Sequence, residues 1–369
     1  MNALSALGPL ASVASGLWTT GARGRAALYA AGLLRQHRLQ APVISVGNLS
    51  WGGTGKTPFT LWLAARLQAA GLRVSVLTRG YRRTSRERVL LFPPGAPPED
   101  AAGAGDEAQL YLRHLHVPVA VAASRVEAGR AVEGQFPVDV HLLDDGFQHL
   151  TLARDLDIVL VDASNPWGAG RGLPRLLREG PAALRRAQVT LLTRCERVGA
   201  AALDALQQRL LQANPAIRCF TASTRLLHFA AAADSSRLSL DEARAQSAVA
   251  FCGVASPESF FELLENAGIS LAAKMSFPDH HRYAAADLES LERTVSQKRA
   301  DFLLTTEKDI VNLPPVASLP APLFWAATEL AIPEETELLG WIGRRLGFAL
   351  TQTSGGPHAL AEKVSGGRA

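Results

Sequence analysis

A glycine-rich loop at residues 50–57 carries the clearest chemical signal in the sequence. It reads Ser-Trp-Gly-Gly-Thr-Gly-Lys-Thr, follows a short apolar run and precedes an amphipathic stretch. Glycines let backbone N–H groups turn toward phosphate oxygens, and a helix that begins there adds its positive dipole end. Lys56 can reach the terminal phosphates, and the Thr57 hydroxyl can hold a divalent cation. The loop therefore predicts a site for a nucleoside triphosphate and Mg²⁺, formed by Ser50, Gly52, Gly53, Thr54, Gly55, Lys56 and Thr57.

Two positions of this loop depart from familiar patterns. Ser50 stands where the usual phosphate loop has glycine, five residues before Gly55. The Gly-Gly-x-Gly-Lys-Thr order resembles the loop of MinD-like ATPases, but these proteins carry an additional signature lysine where this chain has Trp51. A partner-activated switch that depends on that lysine is therefore disfavoured.

Acidic residues follow two other segments of the chain. Asp144 and Asp145 come directly after an apolar run, where phosphate-loop enzymes place the acid that completes the Mg²⁺ shell. The alternative is that Asp144 caps a turn and Asp145 is solvated. Asp106 and Glu107 follow a proline-rich loop, and a carboxylate there can accept a hydroxyl proton. By residue type alone, a helix cap is the more common interpretation of that pair.

Three further patterns carry weaker signals. His280 and His281 are adjacent, so in a strand only one could face a site, and a surface pair is the more common interpretation. Arg79 could bind phosphate, and Tyr81 could stack on a ligand. Residues 193–196, Thr-Arg-Cys-Glu, loosely resemble the base-reading motif of GTPases and do not distinguish adenine from guanine.

Short apolar runs alternate with amphipathic stretches from residue 43 onward. Strands are predicted at residues 43–46, 73–77, 117–122, 138–143, 157–161 and 189–192, with a helix at 58–70. This pattern predicts a buried parallel sheet, and ligand-binding residues in such sheets follow the carboxyl ends of strands. Residues 221–247 indicate an inter-domain connection. A second α/β segment follows, with strands at 248–252 and 302–304 and helices at 257–267 and 285–299.

Composition narrows the class of protein. The 369 residues carry a formal net charge of only +4, which is no nucleic-acid signature. The three cysteines are widely spaced and fit no zinc pattern. Residues 4–18 are apolar but short and interrupted, and basic residues follow them. Two interpretations stay open, a helix packed on the domain and an interfacial membrane anchor.

Six stretches together resemble one family, the tetraacyldisaccharide 4'-kinases of lipid A biosynthesis. They are residues 42–58, 78–81, 105–107, 144–149, 277–281 and 306–309. The resemblance implies transfer of the ATP γ-phosphate to the 4'-hydroxyl of a lipid disaccharide 1-phosphate. It also implies a location on the cytoplasmic face of the bacterial inner membrane. Residues 170–179 depart from the family pattern, because its inner Gly-Pro is lost.

The resemblance also implies roles for individual residues. It gives catalysis to Asp106 and His280, and metal binding to Thr57, Glu107 and Asp144. Acceptor binding is assigned to Asn48, Arg79, Tyr81, Asp145, Gln148 and His149.

The predicted architecture is an α/β fold, with a mostly parallel sheet of the P-loop NTPase type flanked by helices and a smaller α/β second domain. The predicted boundaries are a membrane-associating segment 1–38, a kinase core 39–225, a smaller domain 226–347 that closes over the active site, and a disordered tail 348–369. The expected partners are the lipid substrate and a membrane surface, without nucleic acid or an obligatory protein partner. The alternatives are a nucleotide-driven switch or metallochaperone of the MinD-like class, and a small-molecule kinase without a membrane role.

Overall fold

The computed structural model describes residues 20–51, 53–81, 83–101, 103–168, 177–234, 236–314 and 321–350. Two compact units are present. The first runs to Ala222 and resumes at Ile332, and the second is Ser223–Ala331. The helices are α1 (Lys56–Ala69), α2 (Asp106–His114), α3 (Arg125–Glu133), α4 (Ala200–Ala213), α5 (Leu240–Arg244), α6 (Pro257–Asn266), α7 (Ala285–Lys298), α8 (Glu307–Ile310) and α9 (Glu335–Leu346). Residues 20–30 are also helical.

The first unit contains an eight-stranded sheet. Its strands are β1 (Val43–Asn48), β2 (Val74–Thr78), β3 (Val89–Phe92), β4 (Val119–Ala122), β5 (Val140–Asp144), β6 (Leu156–Asp162), β7 (Val189–Thr193) and β8 (Arg218–Thr221). The spatial order is β3-β4-β2-β5-β1-β6-β7-β8. Every pairing is parallel except β3 with β4.

Burial explains why this sheet could be recognised in the sequence. Strands β1, β2, β4, β5, β6 and β7 are buried along their whole length, so each appears as a short and mostly apolar run. All six predicted strands of this unit are present, with ends shifted by one or two residues. The mostly parallel α/β fold class is confirmed. Strands β3 and β8 are short and less buried, and they were not predicted.

The second unit contains a six-stranded sheet in the order β10-β9-β14-β13-β11-β12. Its strands are β9 (Ser223–Ala231), β10 (Arg237–Leu238), β11 (Ser247–Cys252), β12 (Ser270–Ser276), β13 (Phe302–Thr306) and β14 (Leu323–Ala331). Strand β9 is antiparallel to β14 and β10, and the remaining pairs are parallel. The boundary between the units, at Ala222 and Ser223, falls at the start of the predicted connection 221–247, but most of the residues that follow form β9, β10 and α5 rather than a linker. Strand β9 contains apolar residues, but Phe229 is the only one of its nine residues that is fully buried, so it lacks the continuously buried pattern of the strands in the first unit.

The boundary between the units also differs from the predicted one. The predicted second domain ran to residue 347, whereas α9 belongs to the first unit. Glu335 of α9 pairs with Arg66 of α1 at 2.7 Å, and Glu337 pairs with Arg218 of β8 at 3.2 Å. The last strand and α9 are separated by only three residues, so the sequence contains no linker that marks the return.

Outside the described residues lie the apolar segment 4–18, most of the divergent stretch 170–179 and the tail beyond residue 350. Within the described part of the chain, no helix has both the length and the apolar character needed to cross a membrane.

Candidate active site

The phosphate loop connects β1 to α1 in the first unit. Gly55 adopts left-handed backbone angles, φ 84° and ψ 22°, and α1 begins at the next residue. A side chain at Gly55 would be strained in that conformation. The N-cap residue of α1 is Gly55, and among the described residues no side chain caps the start of this helix. The first N–H groups of the helix therefore point toward the position where a phosphate would bind. Gly52 lies outside the described residues.

The end of β7 holds the loop in place. Thr193 donates its hydroxyl to the carbonyl oxygen of Thr54 at 3.0 Å. Arg194 donates from Nη2 to the carbonyl oxygen of Gly53 at 2.7 Å, and its other nitrogen pairs with Asp162 at the end of β6. The motif at residues 193–196 therefore includes side chains that support the loop. These hydrogen bonds hold the carbonyl groups of the loop on one side. The N–H groups on the other side are then available to bind an anion.

Lys56 lies in a chain of alternating charges. Its Nζ is 3.5 Å from Oδ1 of Asp145, whose carboxylate also accepts two hydrogen bonds from Arg178 at 2.6 and 2.7 Å. Burial favours the neutral acid, but the attraction of Lys56 and Arg178 is stronger and lowers the pKa of Asp145 to about 2. The Arg178 guanidinium lies over the exposed Trp51 ring at 4.9 Å. Trp51 thus packs against the arginine that holds Asp145.

Asp144 lies beside Asp145 in a different environment. It is buried at the end of β5, and burial together with the Asp145 charge raises its pKa. Among the described residues, its Oδ1 atom is buried without a hydrogen-bond partner. A buried acceptor oxygen of this kind fits a cation, and Thr57 lies on the adjoining phosphate loop. The described residues contain no cluster of three or more His, Cys, Asp or Glu that could by itself hold a metal ion.

Arginine side chains surround His149 in the loop after β5. Burial and the positive charges of Arg125, Arg154, Arg25 and Arg79 lower the pKa of His149 to about 3. Its Nε2 is 2.9 Å from the Thr151 hydroxyl. The ring is therefore neutral in the physiological pH range, and the positive charge of this region comes from the arginines.

Arg125 begins α3 and is only 4% exposed. Burial lowers its pKa to about 10, against the opposing attraction of Asp145, and its Nε has no hydrogen-bond partner among the described residues. The positive charge of Arg79 lowers the pKa of Arg125 further. This buried guanidinium beside two carboxylates brings positive charge to the phosphate side of the site.

The loop after β2 and the start of α2 approach each other closely. A Cβ atom on Gly105 would lie 2.8 Å from the carbonyl oxygen of Tyr81, and Gly105 has a φ of 105°. Asp106 follows as the first residue of α2 and is 7% exposed. Gly105 rather than an acid occupies the N-cap, so the cap interpretation of this pair does not describe the observed helix. The Tyr81 side chain is exposed.

Asn48 and Gln148 are joined at the same edge of the sheet. Gln148 donates to the Asn48 carbonyl oxygen at 3.0 Å, and Arg25 donates to the Gln148 carbonyl oxygen at 2.8 Å. Because β1, β5 and β2 are neighbouring parallel strands, the loops that follow them meet at one edge. The phosphate-loop residues that the structure describes lie at that edge, which also carries the residues predicted for acceptor and metal binding, Asn48, Arg79, Tyr81, Asp144, Asp145, Gln148 and His149.

His280 belongs to the second unit. It lies in a turn after β12, with a φ of 57°, and its N–H donates to the Gly253 carbonyl oxygen at 3.0 Å. The histidine pair is therefore not in a strand, and the surface interpretation was wrong for His280, whose side chain is 10% exposed. Nζ of Lys308 lies 3.1 Å from its Nε2. His281 instead bonds Asp287 at 2.9 Å.

Sequence reasoning missed several residues of these regions. Arg125 follows strand β4, and Asp162 is the last residue of strand β6. The rule that ligand-binding residues lie at the carboxyl ends of strands could therefore have found both. Arg178 lies in the stretch 170–179 that departs from the family pattern, and no role was predicted for it. Its pairing with Asp145 joins positions 33 residues apart, and Lys308 lies 28 residues from His280. No local pattern indicates such pairings.

A phosphate loop between a central parallel strand and a helix, with acids after the neighbouring strand, defines a P-loop protein that handles phosphate groups. A family model described as tetraacyldisaccharide-1-P 4'-kinase matches residues 7–346. The chain belongs to this family.

Individual relatives agree with that membership. A tetraacyldisaccharide 4'-kinase of Anaeromyxobacter dehalogenans is 40% identical over 80% of this chain and 79% of its own length. One of Geobacter metallireducens is 38% identical over 89% and 95%. The crystal structure of LpxK from Aquifex aeolicus, solved in complex with ATP, is similar with a TM-score of 0.69 and 29% identity, covering 93% of this chain and 99% of that one.

Proposed function

We propose that this protein transfers the γ-phosphoryl group of ATP to the 4'-hydroxyl of a tetraacyldisaccharide 1-phosphate. The observation that carries the proposal is the edge of the first sheet, where Lys56, Asp144 and Asp145 lie near the start of α1. The chain belongs to a family of kinases for this substrate. A related structure with ATP supports the choice of donor. The MinD-like switch is not favoured, because the relatives and the family are kinases.

The reaction needs few covalent contributions from the protein. The 4'-oxygen forms a bond to the γ-phosphorus while the bond to the β–γ bridging oxygen breaks, and ADP leaves. The hydroxyl proton passes to the Asp106 carboxylate, and the resemblance also implies a catalytic role for His280. Lys56 and the N–H groups of the loop stabilise the charge on the phosphate oxygens.

Mg²⁺ fits the residues that the site offers. Thr57, Glu107 and Asp144 would hold it, and the buried Oδ1 of Asp144 supplies an acceptor without a hydrogen bond among the described residues. Mg²⁺ commonly takes one or two carboxylates and completes its shell with phosphates and water. When bound, it neutralises charge on the phosphates.

The acceptor would bind at the same edge of the first unit. Asn48, Arg79, Tyr81, Asp145, Gln148 and His149 are proposed to contact it. The arginines around His149 provide positive charge for phosphate groups, and the exposed Tyr81 ring offers an apolar face to a sugar.

The test is a transfer assay with variants of the proposed proton acceptor. Asp106→Asn removes the carboxylate with little change in shape, so we expect roughly a 100-fold or greater loss of transfer while ATP still binds. The matched control is Asp100→Asn, an exposed acid in the preceding turn, which should retain activity. Full transfer activity in Asp106→Asn would show that Asp106 is not the proton acceptor.

We further propose that the N-terminal part of the chain associates with the cytoplasmic face of the inner membrane. Leu28 is exposed within the helix at residues 20–30, and Leu33 and Leu34 are exposed just after it. Arginines are close to them in the sequence. Apolar and basic side chains together favour anionic membrane surfaces. Flotation of the full chain with anionic but not neutral vesicles, and its loss on deletion of residues 1–38, would support this. Equal flotation of the deleted form would exclude it.

A further inference from the structure

Lys308 lies beside the histidine to which the proposed function gives a catalytic role. Its Nζ is 3.1 Å from Nε2 of His280 and 3.1 Å from Oδ1 of Asp279. The other oxygen of Asp279 is 3.8 Å from the same Nε2 atom. The three side chains therefore form a cluster within the second unit, with the lysine between a carboxylate and an imidazole.

The chemistry of this cluster determines which atom donates. A lysine ammonium has three N–H donors and no acceptor, so Lys308 donates and Nε2 of His280 accepts. The Asp279 carboxylate stabilises the charged lysine. An uncharged imidazole that accepts at Nε2 carries its ring proton on Nδ1. The hydrogen bond from Lys308 thus selects the tautomer of His280 that is protonated on Nδ1.

The backbone around Lys308 is fixed by the next residue. Asp309 is buried and accepts hydrogen bonds from the Gly253 N–H at 2.8 Å and the Tyr283 hydroxyl at 2.9 Å. Gly253 in turn accepts from the His280 N–H. The same carboxylate therefore ties together the segment that carries Lys308 and the turn that carries His280. The backbone segments that carry the two side chains are therefore held close to each other.

We propose that Lys308 is a positioning residue for the kinase reaction, which holds His280 in the Nδ1-protonated tautomer so that the ring offers an N–H donor at Nδ1 during phosphoryl transfer. The catalytic part of this inference rests on the proposed function. The tautomer itself does not, and it can be measured in the absence of any substrate.

The direct test is nitrogen NMR of the full-length protein with ¹⁵N-labelled histidine. The signals of His280 are identified by their loss in His280→Asn. We expect an unprotonated Nε2 and a protonated Nδ1 in the wild type and in Lys308→Arg, because a guanidinium also only donates. Lys308→Met should lose this preference. The matched control is Lys274→Met, which removes another lysine of the second unit that pairs with a carboxylate, Glu265. This control should leave the spectrum unchanged.

Kinetics then test the link to the reaction. Lys308→Met should lower kcat by up to roughly 100-fold with little change in KM for ATP, and Lys308→Arg should recover part of the loss. A wild-type spectrum with the proton on Nε2 would overturn the inference whatever the activity. A wild-type tautomer as proposed, with kcat unaffected in Lys308→Met, would overturn the positioning role. Absence of kinase activity in the wild type would instead contradict the proposed function and leave the tautomer result standing.

Discussion

The phosphate edge of the first unit and the histidine turn of the second unit are built in different ways. At the phosphate edge, charged side chains hold each other and the loop backbone, as in the series Lys56, Asp145 and Arg178 and in the pair Arg194 and Asp162. At the histidine turn, one buried carboxylate, Asp309, ties the segments together. The difference indicates two tasks. The first region is suited to a highly charged ligand, and the second fixes the orientation of single side chains.

The largest effect is expected at the phosphate edge. Lys56→Ala removes the ammonium that meets the phosphates and also a partner of Asp145, so transfer should fall by roughly 1000-fold. The measurement is the rate of γ-phosphate transfer, together with thermal unfolding to show that the variant is folded. Lys274→Ala serves as the control lysine. Comparable losses in both variants would mean that the phosphate edge has no special role.

The next effect concerns the stability of the histidine turn. Asp309→Ala leaves the Gly253 N–H and the Tyr283 hydroxyl without their buried acceptor, so the free energy of unfolding should fall by about 3 kcal/mol. Urea unfolding measures it. The control is Asp301→Ala, which removes an exposed carboxylate that accepts a hydrogen bond from the Ser247 N–H at 2.8 Å. This variant should lower the free energy of unfolding by less. Equal costs would show that Asp309 does not organise the turn.

These two predictions depend on features that the sequence revealed to different degrees. The phosphate loop was recognised because the Gly-x-Gly-Lys-Thr spacing itself fixes the local geometry, including the left-handed Gly55. The parallel strands of the first unit were recognised because burial on both faces leaves apolar runs. In contrast, β9 of the second unit is only partly buried, and its antiparallel pairing with β14 joins segments about a hundred residues apart. Its local sequence combines apolar residues with Ser223, Thr224, Arg225 and His228, so the strand signal was weaker than in the first unit.

The roles of the two adjacent acids could not be separated from the sequence. Both follow an apolar run, and only the structure shows that Asp145 pairs with Lys56 and Arg178 while Asp144 is buried. Their pKa values consequently move in opposite directions. The assignments of Asp144 to metal and Asp145 to acceptor stay predictions.

A pH effect on stability should arise at the phosphate edge. The folded pKa of His149 is lowered from 6.5 to about 3, so below pH 6.5 the unfolded chain binds a proton that the folded chain does not. Stability should therefore fall as the pH falls from 6.5 toward 3, by up to about 1.4 kcal/mol per pH unit from this residue. His149→Gln should show a shallower fall in urea unfolding across that range. The exposed control His116→Gln should retain the wild-type slope. A wild-type slope in His149→Gln would contradict the assignment.

The smallest effect concerns the helix that returns to the first unit. Glu335→Gln weakens the 2.7 Å pair with Arg66, which is partly exposed, so the free energy of unfolding should fall by less than about 1 kcal/mol. The loss should shrink as salt is added. Urea unfolding at low and high salt measures both. A larger loss that salt does not change would indicate a contribution from packing rather than from the ion pair.

The most direct test of the account is a transfer assay with ATP labelled in the γ-phosphate and a tetraacyldisaccharide 1-phosphate as acceptor. We expect one ADP for each phosphorylated acceptor, a new phosphate on the 4'-oxygen, and loss of the product in Lys56→Ala. Release of inorganic phosphate without a phosphorylated acceptor, or binding of ATP that does not depend on Lys56, would contradict the assignment of this edge as the kinase site.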